Sequence, residues 1–403
     1  MGTFCGINLL TLSAIPIVLL LLLLQHLNLV SLTQIFYYLV KLPLHLLLNL
    51  PRLKDGQERE EEEEKIPPTH HFVLTTEEGP EEPSPSSGRQ ISYSIYNPGE
   101  VPSSSYYYPY NHSHRWHRRC PQHTAFYLHG TPSSHHEAFL LASSARRCNL
   151  RVIAPSRPGF GGSTFRPGGT LLDYAGDVLA LADHLGVEKF GIIAASGGAP
   201  FALACRSAIP RDRLVGIAVV SGIYDTRSLG GTGGLKLGSR VMMWIAQCRL
   251  GRWVLAWGID RQFAGLLGPP DDDKRLREMV ESGMDETEKA VWEEQTEEMR
   301  RAVVMSLREG VKYGGKAAAW EMKLLGGDWG FQFGPGLVEK KGDLVMWHGD
   351  RDENVPVGLA RRAKEMLGEK ADLRVVEGQG HGTLTRYVAG EVCQEIVEML
   401  NRG

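Results

Sequence analysis

The sequence predicts an α/β fold: a mostly parallel sheet with helices on both faces, a helical lid inserted into it, and an N-terminal membrane anchor. Three observations predict it. From Thr124 onward, short apolar runs alternate with longer amphipathic ones, the pattern of a parallel sheet covered on both faces. Between residues 235 and 325 the alternation gives way to helical spacing throughout. Residues 3–40 carry no Asp, Glu, Lys or Arg.

Within that first stretch, Ile7–Leu24 is almost wholly apolar and ends in VLLLLLL. About 20 residues of helix cross a bilayer, and extension to Val30 supplies them. Pro16 is tolerated in such a helix. A second apolar run, 35–50, is broken by Lys41 and Pro43 and reads as an interfacial helix. No Lys or Arg precedes the span, so a retained anchor is favoured over a cleaved signal peptide. Lys41, Arg52 and Lys54 follow the span, which places the remaining chain in the cytosol by the positive-inside rule. Position 6 is glycine, which argues against myristoylation at Gly2.

The run EREEEEEK (58–65) reads as a solvated spacer. HFVLTTEEG and RQISYSIYN are strand-like, with the turn-rich GPEEPSPSSG between them. Residues 98–123 read as a long loop. Its His112, His114, His117, Cys120 and His123 match no standard metal spacing. The sequon at Asn111 would be used only in a lumen, where Cys120 and Cys148 would also be placed to pair. Then follow TAFYLHG (strand), SHHEAFLLASSARR (helix), LRVIAP (strand), TLLDYAGDVLALADHLGV (helix), KFGIIAA (strand), PFALACRSAI (helix) and RLVGIAVVSGIYD (strand). After the lid come GDLVMWHG (strand), VGLARRAKEML (helix), ADLRVVEG (strand) and GEVCQEIVEML (helix). The expected organisation is an anchor region over 1–50, a charged linker over 51–68, a core over 69–226 and 341–403, and a lid over 227–340.

The chain has 403 residues, 42% hydrophobic and 23% charged, with a net charge of −3. That balance gives no reason to expect nucleic acid as a partner. The six cysteines are scattered without a CxxC pair, so no zinc site or disulfide scaffold is indicated. No GxxxxGK[ST] occurs, and Ser196-Gly197-Gly198-Ala199 lacks the lysine a phosphate loop needs.

The chemistry-bearing residues sit at the ends of strand-like runs. Ser196 stands between KFGIIAA and a helix, in the pentad Ala194-Ala195-Ser196-Gly197-Gly198. Small neighbours suit a turn too tight for side chains. His381 lies in GQGHGT after the last strand-like run, and HGDRDENVP follows the run before it. His129-Gly130-Thr131-Pro132 follows the first run of the regular alternation, and SRPGFGGS (156–163) follows the next.

Together these features resemble the α/β-hydrolase superfamily with a helical cap, over roughly residues 69–403. The resemblance implies a nucleophile elbow at Ser196, although Ala194 departs from the family's first glycine. It implies His381 as the base. It implies Asp352 as the acid, from the family's spacing of Gly349, Asp352 and Pro356, with Asp350 and Asp225 as rivals. The backbone N–H groups of Gly197 and Thr131 become the oxyanion donors; Pro132 has none to give. The dehalogenase and epoxide hydrolase branches use aspartate at the elbow, where this chain has Ser196. The expected function is therefore a serine esterase working through an acyl-enzyme, without cofactor or metal. The apolar lid residues Met242, Met243, Trp244, Trp253, Trp257, Phe263, Trp329 and Phe331 suggest a hydrophobic or lipid-like ester. Two other readings are an aminopeptidase or amidase of the same fold, with Glu293, Glu294 and Glu297 holding the substrate amine, and a non-catalytic tethering protein. The sequence leaves the oligomeric state open.

Overall fold

The computed structural model describes residues 65–74, 88–97, 123–232, 234–267, 273–282 and 292–402. The expected anchor and most of the linker lie outside them. Among the described residues, no helix is long and apolar enough to cross a membrane.

Eight strands form one sheet in the order β1-β2-β4-β3-β5-β6-β7-β8. They are β1 (His70–Leu74), β2 (Arg89–Tyr96), β3 (His123–Leu128), β4 (Leu150–Pro155), β5 (Phe190–Ala195), β6 (Leu214–Val220), β7 (Leu344–Gly349) and β8 (Asp372–Val376). β2 runs antiparallel to β1 and β4, and every other pairing is parallel.

Burial on both faces explains the continuous apolar runs. In β5, Ile192 and Ala194 pack into one core. Ile193 and Ala195 pack into the other. Such alternation locks strand register, because a one-residue slip would exchange the faces. The first face is covered by α2 (Leu171–His184), α3 (Ala199–Ala208) and α9 (Val357–Leu367). The second is covered by α1 (Ala142–Arg147) and α11 (Ala389–Arg402). Thr170 caps α2: its hydroxyl accepts from the Asp173 N–H (3.1 Å), while the Asp173 carboxylate accepts from the Thr170 N–H (2.8 Å). That reciprocal pair satisfies two donors at the helix start.

Between β6 and β7 lie α4 (Leu237–Ile245), α5 (Arg249–Phe263), α6 (Lys274–Ser282), α7 (Glu297–Val311) and α8 (Lys316–Gly326). A short α10 (Leu384–Tyr387) follows β8. The segment expected as one helix over 134–147 is instead a 3₁₀ stretch, His135–Leu141, leading into α1. Its side chains are engaged elsewhere. Glu137 is turned back to accept from the Gly130 N–H, and the His135 N–H is held by the Ser156 hydroxyl.

Candidate active site

β5 ends at Ala195 in extended conformation, and Ser196 begins the turn into α3 with φ +48°. A non-glycine residue there carries strain of order 1–3 kcal/mol, which must be held by its surroundings. The surroundings are tight. A Cβ at Gly198 would lie 2.3 Å from the Leu128 carbonyl oxygen, and one at Gly197 would lie 2.4 Å from Thr131 Oγ1. Only glycine fits either position. The alanine at 194 is accommodated within the buried core beside β5's neighbours.

The loops after β5, β7 and β8 open at one sheet edge, so three distant residues meet. Ser196 Oγ is 2.8 Å from His381 Nε2, and His381 Nδ1 is 2.7 Å from Asp352 Oδ2. All three are buried. Ser221, at the end of β6, donates its hydroxyl to the His381 carbonyl (3.2 Å). The Arg351 N–H donates to the Gln379 carbonyl (3.0 Å), tying the acid's loop to the histidine's. The rivals point elsewhere. Asp350 accepts from the Gly378 N–H (2.7 Å), and Asp225 accepts from the Arg227 N–H of its own turn (3.1 Å).

Asp352 is surrounded by donors only. Its Oδ1 accepts from the Asn354 and Val355 N–H groups at 2.9 and 2.8 Å. Its Oδ2 faces His381 and also His348 Nε2, 3.3 Å away. Because His348 Nε2 lies 2.6 Å from the Val355 carbonyl, that nitrogen carries a proton. Burial pushes the Asp352 pKa up, but the His381 charge and the hydrogen bonds from His348 and His381 outweigh it. The carboxyl is held well below its usual range.

The loop His129–Pro132 runs beside the elbow. A Cβ at Gly197 would lie 3.4 Å from the Thr131 backbone nitrogen, so the two expected donors adjoin. The Gly130 N–H is already committed to Glu137, whose carboxylate also accepts from the Tyr127 hydroxyl (2.8 Å). Arg157, fully buried, binds this loop from behind. It donates to the carbonyls of His129 and Gly130 and to Thr131 Oγ1 (2.8 Å). Its Nε donates to Glu321 Oε1 (2.5 Å), and Thr131 Oγ1 donates to Glu321 Oε2 (2.5 Å). Glu321 belongs to α8, in the lid. A buried ion pair therefore fastens the lid to the residue whose amide is the expected oxyanion donor. Ser306 of α7 adds a second fastening, 2.7 Å from Ser133 Oγ.

Sequence reasoning passed over Arg157, Glu321 and His348. Arg157 sits in SRPGFGGS, the loop that follows β4. Glu321 had a signal: it is a lone acid in the apolar stretch AAAWEMKLL. His348 lies inside a buried strand, where one histidine reads as core.

A tight cavity next to Thr131 is lined by Ile223, Leu235, Ser239, Met242, Met243, Met322, Leu325, Asn354 and Val355. It is apolar and Met-rich, hence adaptable in shape. Phe263 and Trp329 are buried in the core that the lid shares with the first face of the sheet, and Phe331 packs half-buried against it. Trp244, Trp253 and Trp257 are exposed. Glu297 pairs with Arg277 and Arg300 on a half-exposed surface.

Residues 125–393 match the Alpha/beta hydrolase family, which is more than half of the chain. The chain belongs to the alpha/beta hydrolase family. The solved structures similar to this hydrolase include MGS-M2, an alpha/beta hydrolase enzyme from a Medee basin deep-sea metagenome. It is 12% identical with a TM-score of 0.52, covering 82% of this chain and 98% of that one. Epoxide hydrolase VrEH1 from Vigna radiata is 14% identical with a TM-score of 0.52, covering 83% and 99%. A probable hydrolytic enzyme from Pseudomonas aeruginosa is 16% identical with a TM-score of 0.50, covering 84% and 95%. Likeness at these identities shows the fold alone. No curated protein matches this hydrolase.

Three buried histidines near the site predict that the hydrolase loses stability in acid. Burial lowers His136 to about 4, and burial first, then neighbouring positive charge, lowers His129 and His135 well below their usual range. His129 shows why. Its Nε2 accepts from the Arg157 N–H (3.1 Å) while its Nδ1 donates to the Gly130 carbonyl (2.8 Å), a set only the neutral ring can make. Depressed folded-state values mean stability that is full above the unfolded value, about 6.5, and is lost as pH falls toward the folded values. The loss is expected to reach up to about 1.4 kcal/mol per histidine per pH unit below that point. Denaturant unfolding followed from pH 8 to pH 4.5 measures it. A flat profile across pH 6.5–4.5 would contradict the three assignments. Asp352 is depressed too, so its contribution is lost only below its own unfolded value, about 3.9.

Proposed function

We propose that this hydrolase cleaves a carboxylic ester with an apolar acyl group, through an acyl-enzyme on Ser196. The observation that carries the reading is the continuous chain from Ser196 Oγ through His381 to Asp352, at 2.8 and 2.7 Å. A serine hydroxyl becomes a useful nucleophile when a base removes its proton during attack. His381 Nε2 takes that proton, and Asp352 holds Nδ1–H so that Nε2 is free to accept it. Attack on the carbonyl carbon gives a tetrahedral oxyanion, which the N–H groups of Gly197 and Thr131 stabilise. The intermediate collapses, His381 protonates the departing alcohol, and the acyl group stays on Ser196. A water molecule, deprotonated by His381, attacks the acyl carbon and releases the acid. Ser196 in place of an elbow aspartate supports this route over epoxide opening.

The apolar, Met-rich lining beside Thr131 supports the acyl specificity: its free space is about 10 Å³, and flexible methionines let it widen around a chain. The N-terminal apolar run supports tethering to a membrane with the hydrolase in the cytosol. The test is a series of p-nitrophenyl esters from acetate to octanoate. Turnover is expected to rise beyond acetate, and Leu325→Trp, which adds bulk where the lining must widen, is expected to cost the longer esters about tenfold or more relative to acetate. Acyl-chain indifference in both proteins would remove the specificity, and faster turnover of aminoacyl amides would replace the ester reading.

A further inference from the structure

Large apolar side chains rarely stay in water in groups unless they meet a partner. Among the described residues, five of those most exposed lie on two adjoining lid helices. On α4 they are Leu237 (70% exposed) and Trp244 (65%); on α5 they are Leu250 (48%), Trp253 (64%) and Trp257 (52%). Leu250, Trp253 and Trp257 fall at i, i+3 and i+7, one stripe of a helix. The opposite side of α5, including Leu255, Ile259 and Phe263, is buried in the core. The exposed stripe is therefore not needed to hold the lid together.

The two helices that carry it are rich in positive charge. From Lys236 to Phe263 the chain carries Lys236, Arg240, Arg249, Arg252 and Arg261 against a single acid, Asp260; Lys236 pairs with Glu353 (3.2 Å) and Arg252 donates to the Ala246 carbonyl (2.8 Å), so the excess rests on Arg240, Arg249 and Arg261. Asp260 is engaged by the Gly315 N–H (2.7 Å). This local excess of positive charge stands on a chain of net charge −3. Tryptophan beside arginine is the composition of a surface that lies in the lipid headgroup region: the indole sits among headgroups and the cations meet anionic lipid. A charge-free run over residues 3–40 of the same chain independently suits a bilayer.

We propose that the α4–α5 face of the lid docks on the surface of an anionic lipid bilayer through Trp244, Trp253 and Trp257. The same α4 turns Met242 and Met243 inward to line the cavity beside Thr131. One helix thus separates the docked surface from the site. Docking is independent of the proposed ester chemistry, and its test does not use activity.

The experiment takes the full chain and vesicles of zwitterionic and anionic phospholipids with brominated acyl chains, and reads tryptophan quenching. The first 64 residues contain no tryptophan, so their insertion is silent. Quenching is expected with anionic vesicles, and most of it is expected to disappear in Trp244→Phe/Trp253→Phe/Trp257→Phe. Arg249→Glu/Arg261→Glu, which keeps every tryptophan, is expected to weaken it on anionic vesicles. Unfolding midpoints check that both variants fold. Undiminished quenching in the triple variant would overturn the proposal. So would emission that is blue-shifted before vesicles are added and unchanged by them, which would mean that another segment or a second copy covers the face.

Discussion

Asp352→Asn is expected to lower ester turnover about 10⁴-fold near neutral pH. The reason lies in the hydrogen bonds around the carboxylate. Every group facing Asp352 is a donor: two backbone N–H groups on Oδ1, and His381 with His348 on Oδ2. An asparagine oxygen can serve one side only. If it keeps the backbone pair, its NH₂ group faces His381 Nδ1. The imidazole must then accept there and carry its proton on Nε2, 2.8 Å from Ser196 Oγ. A protonated Nε2 has no lone pair to take the serine's proton. The damage is to the tautomer, so kcat falls while substrate binding stays close to that of the parent. Steady-state kinetics at several pH values reads it. Loss of less than about tenfold would show that Asp352 does not orient His381.

The second large effect is on stability. Arg157→Met is expected to destabilise the fold by about 3–5 kcal/mol, because it strands the Glu321 carboxylate in the interior without its cation. Arg157 is wholly buried, and Glu321 nearly so, at 0% and 5% side-chain exposure. Glu321→Met strands the guanidinium in the same way. The double variant removes both charges together and is expected to be more stable than either single one. Its chemistry should still suffer. Thr131 Oγ1 loses the two partners that hold its loop, and a small displacement of an oxyanion donor costs up to about 10²-fold in kcat. Recovery of stability without recovery of kcat is the expected pattern. Additive destabilisation in the double variant would contradict the pairing.

Much of this was legible in the sequence because the parallel sheet brings the ends of β5, β7 and β8 to one edge. Ser196, Asp352 and His381 each follow a strand by a few residues, and strand ends can be found from apolar runs. Burial on both faces left the central strands β5, β6 and β7 as unbroken apolar stretches, so they stood out, whereas the edge strand β8 is part-exposed and carries Asp372 and Arg374. The pairing of Arg157 with Glu321 was not legible, although Glu321 is a lone acid in an apolar stretch, since the two are separated by 164 residues and meet only when the lid folds over the core. No local pattern encodes that meeting. The 3₁₀ stretch after β3 was missed for a similar reason. Its course is set by Glu137 reaching back to Gly130 and by Ser156 holding His135, contacts that helical periodicity does not register. The lid tryptophans were visible as residue types, but which side of each helix they take depends on how α4 and α5 pack.

The central claim is that Ser196 is the nucleophile of a working hydrolase. Its most direct test is labelling by a fluorophosphonate, with the adduct mapped by mass spectrometry on the parent chain and on folded Ser196→Ala. The account predicts one adduct, on Ser196, and no labelling of the variant. Equal labelling of both proteins, or a folded parent chain that stays unlabelled, would contradict it.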